Sequence, residues 1–460
     1  MEKTLSGHGL PNGFNANLYQ FWLLVFRPQF FADSLRKRFG DLVAVNNNGE
    51  YVVNALTPEG AHQILLGDPN GYDAFWKDGF SGVAGPGSIW VLEKKRHHQE
   101  RQLLTPAFHG KSFESYGKLI RDITASRLTE WQPGKTIRAL DTTLGISLDV
   151  IMRFMFGSGD EQMMEEGRQV ISALLKTYNP LIVFFPNLQR NWFPSWARHV
   201  RVKANFSAWL NRHLVERRTR TEESHDVLGR MLEARYEDGT QMRYEDIRDE
   251  LITILMAGHE TTATALAWAL YELGRHPAEL ERLRAEIETL GEKPDPDQII
   301  KLPYLSGVCN ETLRLHTLLP EVARVVTSPL KLFQYTIPPG SFVTVSVMGI
   351  HHDPELYPEP DRFIPDRFLN RTYTPFEFLP FGGGHRRCLG AGLSDYEMRI
   401  ALAEIVINWE FEPASVEKEI RHDIAMGPKH GVRLKIKSRR NVQTLFSTSV
   451  QAIESNVERI

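Results

Sequence analysis

The chain has 460 residues, of which 42% are hydrophobic and 24% charged, with a formal net charge of -3 and only two cysteines. That composition fits a globular enzyme with a large core and argues against a nucleic-acid partner, which calls for a strongly basic face. The longest apolar runs, residues 21–26 and 251–257, fall far short of the ~20 residues that span a bilayer, and no N-terminal signal peptide is visible. In chain order, the first ~55 residues predict a helix over "PQFFADSLRKRFG" and then two strands, "DLVAV" and "EYVVNAL". Residues 60–320 have mostly helical periodicity punctuated by Gly and Pro. Residues 324–350 switch to β-branched alternation, and a Pro-rich irregular stretch over 353–380 leads into a glycine loop. Beyond it, "LGAGLSDYEMRIALAEIVINW" predicts a helix and "VRLKIK" a strand. The expected fold class is mainly α with a minor β region, as one domain over 1–438 and a C-terminal appendage over 439–460.

The glycine loop reads "FGGGHRRCLG" and holds Cys388. Two cysteines make no disulfide framework, so a reduced thiol is expected. As a phosphate cradle the loop lacks the Lys-Ser/Thr ending and the preceding strand of a P-loop. As a nucleophile, Cys388 would have His385 nearby as a base, but that leaves the glycines without a role. As a metal ligand, one thiolate cannot hold zinc or an iron–sulfur cluster, yet it suffices where a porphyrin already supplies four ligands. Glycines at 382–384 and Gly390 would let backbone pass close to a flat macrocycle. Loop amides and a helix N-terminus can point at the sulfur, and Arg386 offers a fork suited to a haem propionate.

The stretch resembles the cysteine-ligand loop of the cytochrome P450 haem-thiolate monooxygenases, Phe-x-x-Gly-x-Arg-x-Cys-x-Gly, met by Phe381, Gly384, Arg386, Cys388 and Gly390. The resemblance continues upstream. "NETLRL" supplies a Glu-x-x-Arg pair, Glu311 and Arg314, on one helical face. The family closes a buried ionic triad with a further arginine, here Arg367 of "FIPDRF", where Asp366 replaces the usual Glu; Arg362 is a weaker candidate. "AGHETT" resembles the family's oxygen-helix motif. Its small residues, Ala257 and Gly258, would let a ligand lie against backbone, and the Thr261 hydroxyl can reach the Ala257 carbonyl. Glu260 beside Thr261 implies a proton-delivery pair. A zincin reading of "HE" fails because Ala263 stands four residues after His259. "RHHQERQLLTPAFHG" resembles the segment whose His97 and Arg101 face the haem carboxylates, with His98 turned to solvent, and Arg324 of "EVARVV" matches a further propionate partner.

The resemblance covers roughly residues 10–437 and implies a cytochrome P450 fold with haem b between the oxygen helix and the cysteine loop. It implies that Cys388 is the axial iron ligand, with His97, Arg101, Ala257, Arg324, Phe381, Arg386 and Gly390 around the cofactor. The implied activity is insertion of one atom of dioxygen into a C–H bond of a lipophilic substrate, such as a fatty acid, terpenoid or steroid-like molecule. Electrons would come from separate partners, a ferredoxin or flavodoxin with its NAD(P)H-dependent reductase. The run Lys94, Lys95, Arg96 is the candidate docking charge for an acidic carrier. Pocket walls by family position include Ala257, Leu319, Val322 and Met426, with residues 72–90 as a Gly-rich lid and 181–186 at the entrance. A cytoplasmic monomer without a transmembrane anchor is expected. The rivals are a haem-thiolate sensor that never turns over and a peroxide-using relative, and Glu260 with Thr261 argues against both.

Overall fold

The computed structural model describes residues 9–47, 49–75, 77–108, 114–157, 161–218, 226–291, 294–422 and 424–440. Five helices position the site: α1 (Lys94–Leu104), α2 (Ala139–Phe156), α3 (Tyr244–Arg275), α4 (Pro303–Leu315) and α5 (Ala391–Asn408). α3 has 32 residues and so runs about 48 Å at 1.5 Å per residue. It is apolar on nearly every face because it packs against α2, α4 and α5 at once. Trp268, near its C-terminal end, is buried and stacks flat on His316 at 3.8 Å.

A six-stranded sheet flanks this helical core. Its strands are β1 (Gly13–Asn15), β2 (Leu42–Asn47), β3 (Glu50–Ala55), β4 (Tyr72–Ala74), β5 (Glu321–Val326) and β6 (Phe342–Ser346), in spatial order β1-β2-β3-β6-β5-β4. The β1–β2 and β3–β6 pairs are parallel and the others antiparallel. Arg324 sits inside β5, in register with Ala74 on one side and Val343 on the other. Its position is thus fixed by two ladders.

The β-rich region begins at Glu321, and its last stretch departs from the expected strand. Ser346 caps a short helix, Val347–His351, by accepting a hydrogen bond from the Gly349 amide at 3.2 Å. The lid segment is more ordered than its glycines suggest, since it forms β4, the helix Lys77–Val83 and a set of turns. At the C-terminus the strand Arg433–Arg439 pairs with Trp409–Pro413 and Thr136–Arg138. Arg440 then bridges Glu288 and Glu410 at 3.2 and 3.0 Å, so the folded body runs through 440 and past the expected boundary at 438. Residues 441–460 of the expected appendage lie outside the described residues.

Candidate functional site

Cys388 is held by a turn whose geometry requires glycine. The Cys388 amide donates to the Phe381 carbonyl at 2.9 Å, closing the loop, and Gly382 and Gly384 adopt φ of 62° and 66°. A Cβ on Gly384 would stand 1.8 Å from the Leu65 carbonyl oxygen, so the loop is seated on the end of the helix Pro58–Leu65. Phe381 packs at the edge of the main core. Gly390 caps α5, and a Cβ there would meet nothing within 4 Å. Its amide donates to the sulfur.

The thiol has accessible surface, although the protein around it desolvates it. Burial raises its pKa, opposed by the Gly390 amide and by Arg387 and Arg101. Cys309, by contrast, is wholly buried in the core, its thiol pushed up to about 12 by desolvation. Among the described residues no group of three or more His, Cys, Asp or Glu side chains could hold a metal. Any metal at Cys388 must therefore bring most of its own ligands.

Beside the sulfur lies a cluster of arginine and histidine side chains, with Glu93 and Asp73 on the Arg386 side. His97 is buried on α1 and meets His385 edge-on, ring centroids 5.8 Å apart. Burial, then Arg386, His385, Arg101 and Arg324, push the His97 pKa down to about 3. His385 falls to about 4 through burial, Arg324, Arg386 and Arg101. Arg324 and Arg386 are each depressed to about 10, by burial first, with Glu93 and Asp73 acting against the shift at Arg386. Both rings are thus neutral, and three guanidiniums share one buried region.

Arg386 spends its terminal nitrogens on backbone, reaching the Ile89 and Trp90 carbonyls at 3.4 Å and the Leu92 carbonyl at 2.5 Å. Its Nε is buried without a partner. Glu93 and Asp73 offset part of the charge on Arg386, but its orphaned donor still calls for an anion, and carboxylates such as haem propionates satisfy it. The donor set therefore fits haem, with one thiol for the iron and several cations for the periphery.

A second charged cluster lies behind the loop and is fully paired. Arg314 Nε and Nη2 donate to Glu311 Oε2 and Oε1 at 2.7 and 2.8 Å, and neither residue has accessible surface. Arg367 Nε joins Glu311 Oε1 at 3.2 Å, and the Ile364 amide donates to the same oxygen at 2.9 Å. The third member is thus Arg367. The other candidate, Arg362, contributes only its carbonyl to Arg314, while its side chain pairs with Glu359 on the surface. Asp366 binds Arg282 through two hydrogen bonds of 2.7 and 2.8 Å.

On α3, the Thr261 hydroxyl donates to the Ala257 carbonyl at 2.7 Å, four residues back, as expected. Thr261 and Ala257 are half-buried and Glu260 is exposed. At Gly258, a Cβ would stand 3.1 Å from Ile151 Cδ1 on α2. That face allows close packing of α3 on α2, and the Gly258 carbonyl accepts from Ser147 Oγ at 3.2 Å. Some of the expected pocket segments have neighbours in common with the loop and α3. The Met426 amide donates to the Leu318 carbonyl at 2.7 Å, next to Leu319, and Val322 faces the cysteine loop across from Gly382. Gly427 stands against Thr264 of α3.

The docking run is reduced by the structure. Arg96 reaches Asp246 at 3.0 Å and lies over the Tyr236 ring, so its charge is spent internally. Only Lys94 and Lys95 of the three are exposed, along with His98. Sequence reasoning missed the carbonyl collar of Ile89, Trp90 and Leu92 and the Leu65 seat, because no local pattern signals partners some 300 positions apart.

Known proteins match this arrangement. The family profile described as Cytochrome P450 matches residues 10–436. "Putative cytochrome P450 135B1" of Mycobacterium tuberculosis is 30% identical over 457 residues, covering 97% of this chain and 95% of that protein. "Putative cytochrome P450 138" of the same organism is 31% identical over 84% of this chain and 87% of its own. Among solved structures, retinoic acid-bound cyanobacterial CYP120A1 superposes with a TM-score of 0.81 at 22% identity, covering 94% of this chain and 100% of that one. The heme domain of cytochrome P450DA gives 0.78 over 90% and 93%. A lone thiol among unbalanced buried cations, on this fold and along nearly the whole chain, has one reading: the protein belongs to the cytochrome P450 family, the haem monooxygenases.

Proposed function

We propose that the chain binds haem b through Cys388 and hydroxylates a lipophilic substrate at a C–H bond, drawing electrons from a separate ferredoxin or flavodoxin and its NAD(P)H-dependent reductase. The observation that carries this reading is the unpartnered Arg386 Nε among Arg101, Arg324 and the neutral His97 and His385, next to a single thiol. Haem, when bound, supplies the redox chemistry that activates dioxygen. The chain's own residues do the rest. The Gly390 amide and the α5 N-terminus draw charge from the Cys388 sulfur, which limits its basicity. Arg101, Arg324 and Arg386 orient the carboxylates of the cofactor. Thr261 keeps its Oγ1–H on the Ala257 carbonyl, which leaves the oxygen's lone pairs free to accept a proton donor. Exposed Glu260, one residue ahead, can collect a proton from solvent and pass it towards Thr261 Oγ1.

The substrate class rests on the apolar set Ala257, Leu319, Val322 and Met426, of which Met426 belongs to a strand packed against α3. The solved neighbour named as holding retinoic acid carries a lipophilic acid on the same fold, which supports fatty acids, terpenoids or steroid-like molecules. The test is the absorption of the reduced carbon-monoxide adduct of haem-loaded protein. Wild type should show the thiolate-ligated spectrum and Cys388→Ser should lose it; an unaltered spectrum in the variant would reject the assignment. Incorporation of label from dioxygen into a bound lipid separates this reading from a sensor or a peroxide user.

A further inference from the structure

One buried histidine lies between the Glu311 cluster and the cysteine loop. His351 ends the short helix Val347–His351 and has no accessible surface. Its carbonyl accepts from Arg314 Nη1 at 2.8 Å. Both ring nitrogens are engaged: Nε2 accepts from the Leu379 amide at 3.1 Å, and Nδ1 lies 3.0 Å from Thr317 Oγ1. The Thr317 hydroxyl donates to the Arg314 carbonyl at 2.9 Å. Thr317, Leu379 and Arg314 are buried as well, and the Phe378 ring stacks on the imidazole with centroids 5.5 Å apart.

These contacts fix the tautomer. A backbone amide can only donate, so Nε2 is the bare nitrogen and Nδ1 carries the hydrogen. Nδ1–H then donates to Thr317 Oγ1, which passes its own hydrogen to the Arg314 carbonyl. The hydrogen bonds thus run in one direction, from Leu379 to Arg314, with both ring nitrogens satisfied. A protonated ring would set N–H against N–H at Leu379. Burial first, then the charges of Arg314 and His352, push the His351 pKa well below its ordinary value, so the ring stays neutral. Leu379 is where the cysteine loop begins to turn. Its carbonyl accepts from the Gly382 amide at 3.0 Å, and it stands two residues before Phe381, whose carbonyl takes the Cys388 amide. The place of the thiol therefore depends on a backbone anchor that is oriented from the end of α4.

We propose that His351 is a positioning residue for the axial ligand: it anchors the cysteine loop at Leu379 and so keeps the Cys388 thiolate on the iron. The proposal deepens the haem reading and rests on it. The test follows two signals of haem-loaded full-length protein through a urea series, the thiolate signature of the reduced carbon-monoxide adduct and the far-ultraviolet helix signal. His351→Leu should widen the gap between the urea concentrations at which the two are lost. In dilute urea its thiolate signature should decay about tenfold faster than wild type, the scale of one buried hydrogen bond. His351→Gln, whose amide oxygen reaches the place of Nε2, should close most of that gap. Thr317→Val releases Nδ1–H and should widen the gap in the same sense but less, and it decides alone if His351→Leu does not fold. In the haem-free chain, hydrogen exchange over residues 379–388 should quicken in His351→Leu while α3 keeps its protection. A merely structural histidine would move both signals together. Equal gaps in wild type, His351→Leu and Thr317→Val, or a Gln variant no better than Leu, overturn the proposal alone. A wild type with no thiolate adduct overturns the haem reading and this proposal with it.

Discussion

Two buried clusters of arginine sit within the same fold, and they are opposites. Around Glu311, every strong donor has an acceptor: Arg314 and Arg367 share one carboxylate, and carbonyls of His351, Arg362 and Glu359 take the remaining hydrogens. Around His97, arginines crowd one another with only Glu93 and Asp73 opposing them at Arg386, the imidazoles are driven neutral, and a guanidinium nitrogen is left without a partner. Burying charge is costly in both places, but the first cluster compensates it fully and the second only in part. The contrast separates a structural brace from a ligand cradle. A cluster that is complete by itself stabilises the chain, whereas an incomplete one stores its compensation for a guest.

Breaking the complete cluster should have the larger effect. Glu311→Ala strands two buried guanidiniums and should cost about 3–5 kcal/mol. Chemical denaturation of the haem-free chain would measure it, and the same loss should appear with haem present. Arg386→Leu should act mainly on haem instead. It removes a repelling cation but also the bonds to the Ile89, Trp90 and Leu92 carbonyls, so the haem-free protein should lose clearly less stability than with Glu311→Ala. Haem affinity should fall by about 1.5–3 kcal/mol, the worth of hydrogen bonds to a charged group, read by transfer of haem to an acceptor protein. A haem-free Arg386→Leu protein as damaged as Glu311→Ala would erase the distinction between the clusters.

The pH dependence sharpens the comparison further. His97 has a folded pKa of about 3 against an ordinary value of 6.5. The unfolded chain therefore binds a proton that the folded chain refuses once pH falls below about 6.5. The contribution is fully present above that pH and is lost as pH falls towards 3, at up to ~1.4 kcal/mol per unit. Haem-free protein should show this slope in its melting temperature, and His97→Gln should flatten it. Haem loading should blunt it too, because propionate charge offsets the neighbouring arginines.

These contrasts also mark what the sequence could reveal. Spacing within one helix was legible: Thr261 meets the Ala257 carbonyl, and Glu311 meets Arg314, because three- and four-residue separations share a face. A motif with strict backbone demands was legible for the same reason, since Gly384 admits no Cβ against Leu65. Choices between near neighbours needed coordinates. Nothing local says that Arg367 turns inward while Arg362 pairs with Glu359 outside. The packing of Gly258 on Ile151 was out of reach because a small residue serves a ligand or a neighbouring helix equally well, and Ile151 lies more than 100 positions away. The same long range hid the pairing of Arg96 with Asp246.

That last pairing yields the smallest expected effect. Lys94, Lys95 and Arg96 are equivalent in sequence but not in the fold: two lysines are exposed, while the arginine is held by Asp246 and Tyr236. If the α1 N-terminus meets an acidic electron carrier, Lys94→Glu with Lys95→Glu should raise the carrier's KM a few-fold at low salt, and screening should erase the difference. Arg96→Ala should leave that KM unchanged and lower thermal stability instead, because buried Glu100 loses its cationic partner while Arg243 still holds Asp246. The same assay thereby asks, for three adjacent residues, whether a cation already satisfied within the protein can serve a partner. An Arg96→Ala effect on KM equal to that of the lysines would show that internal pairing does not silence a surface charge.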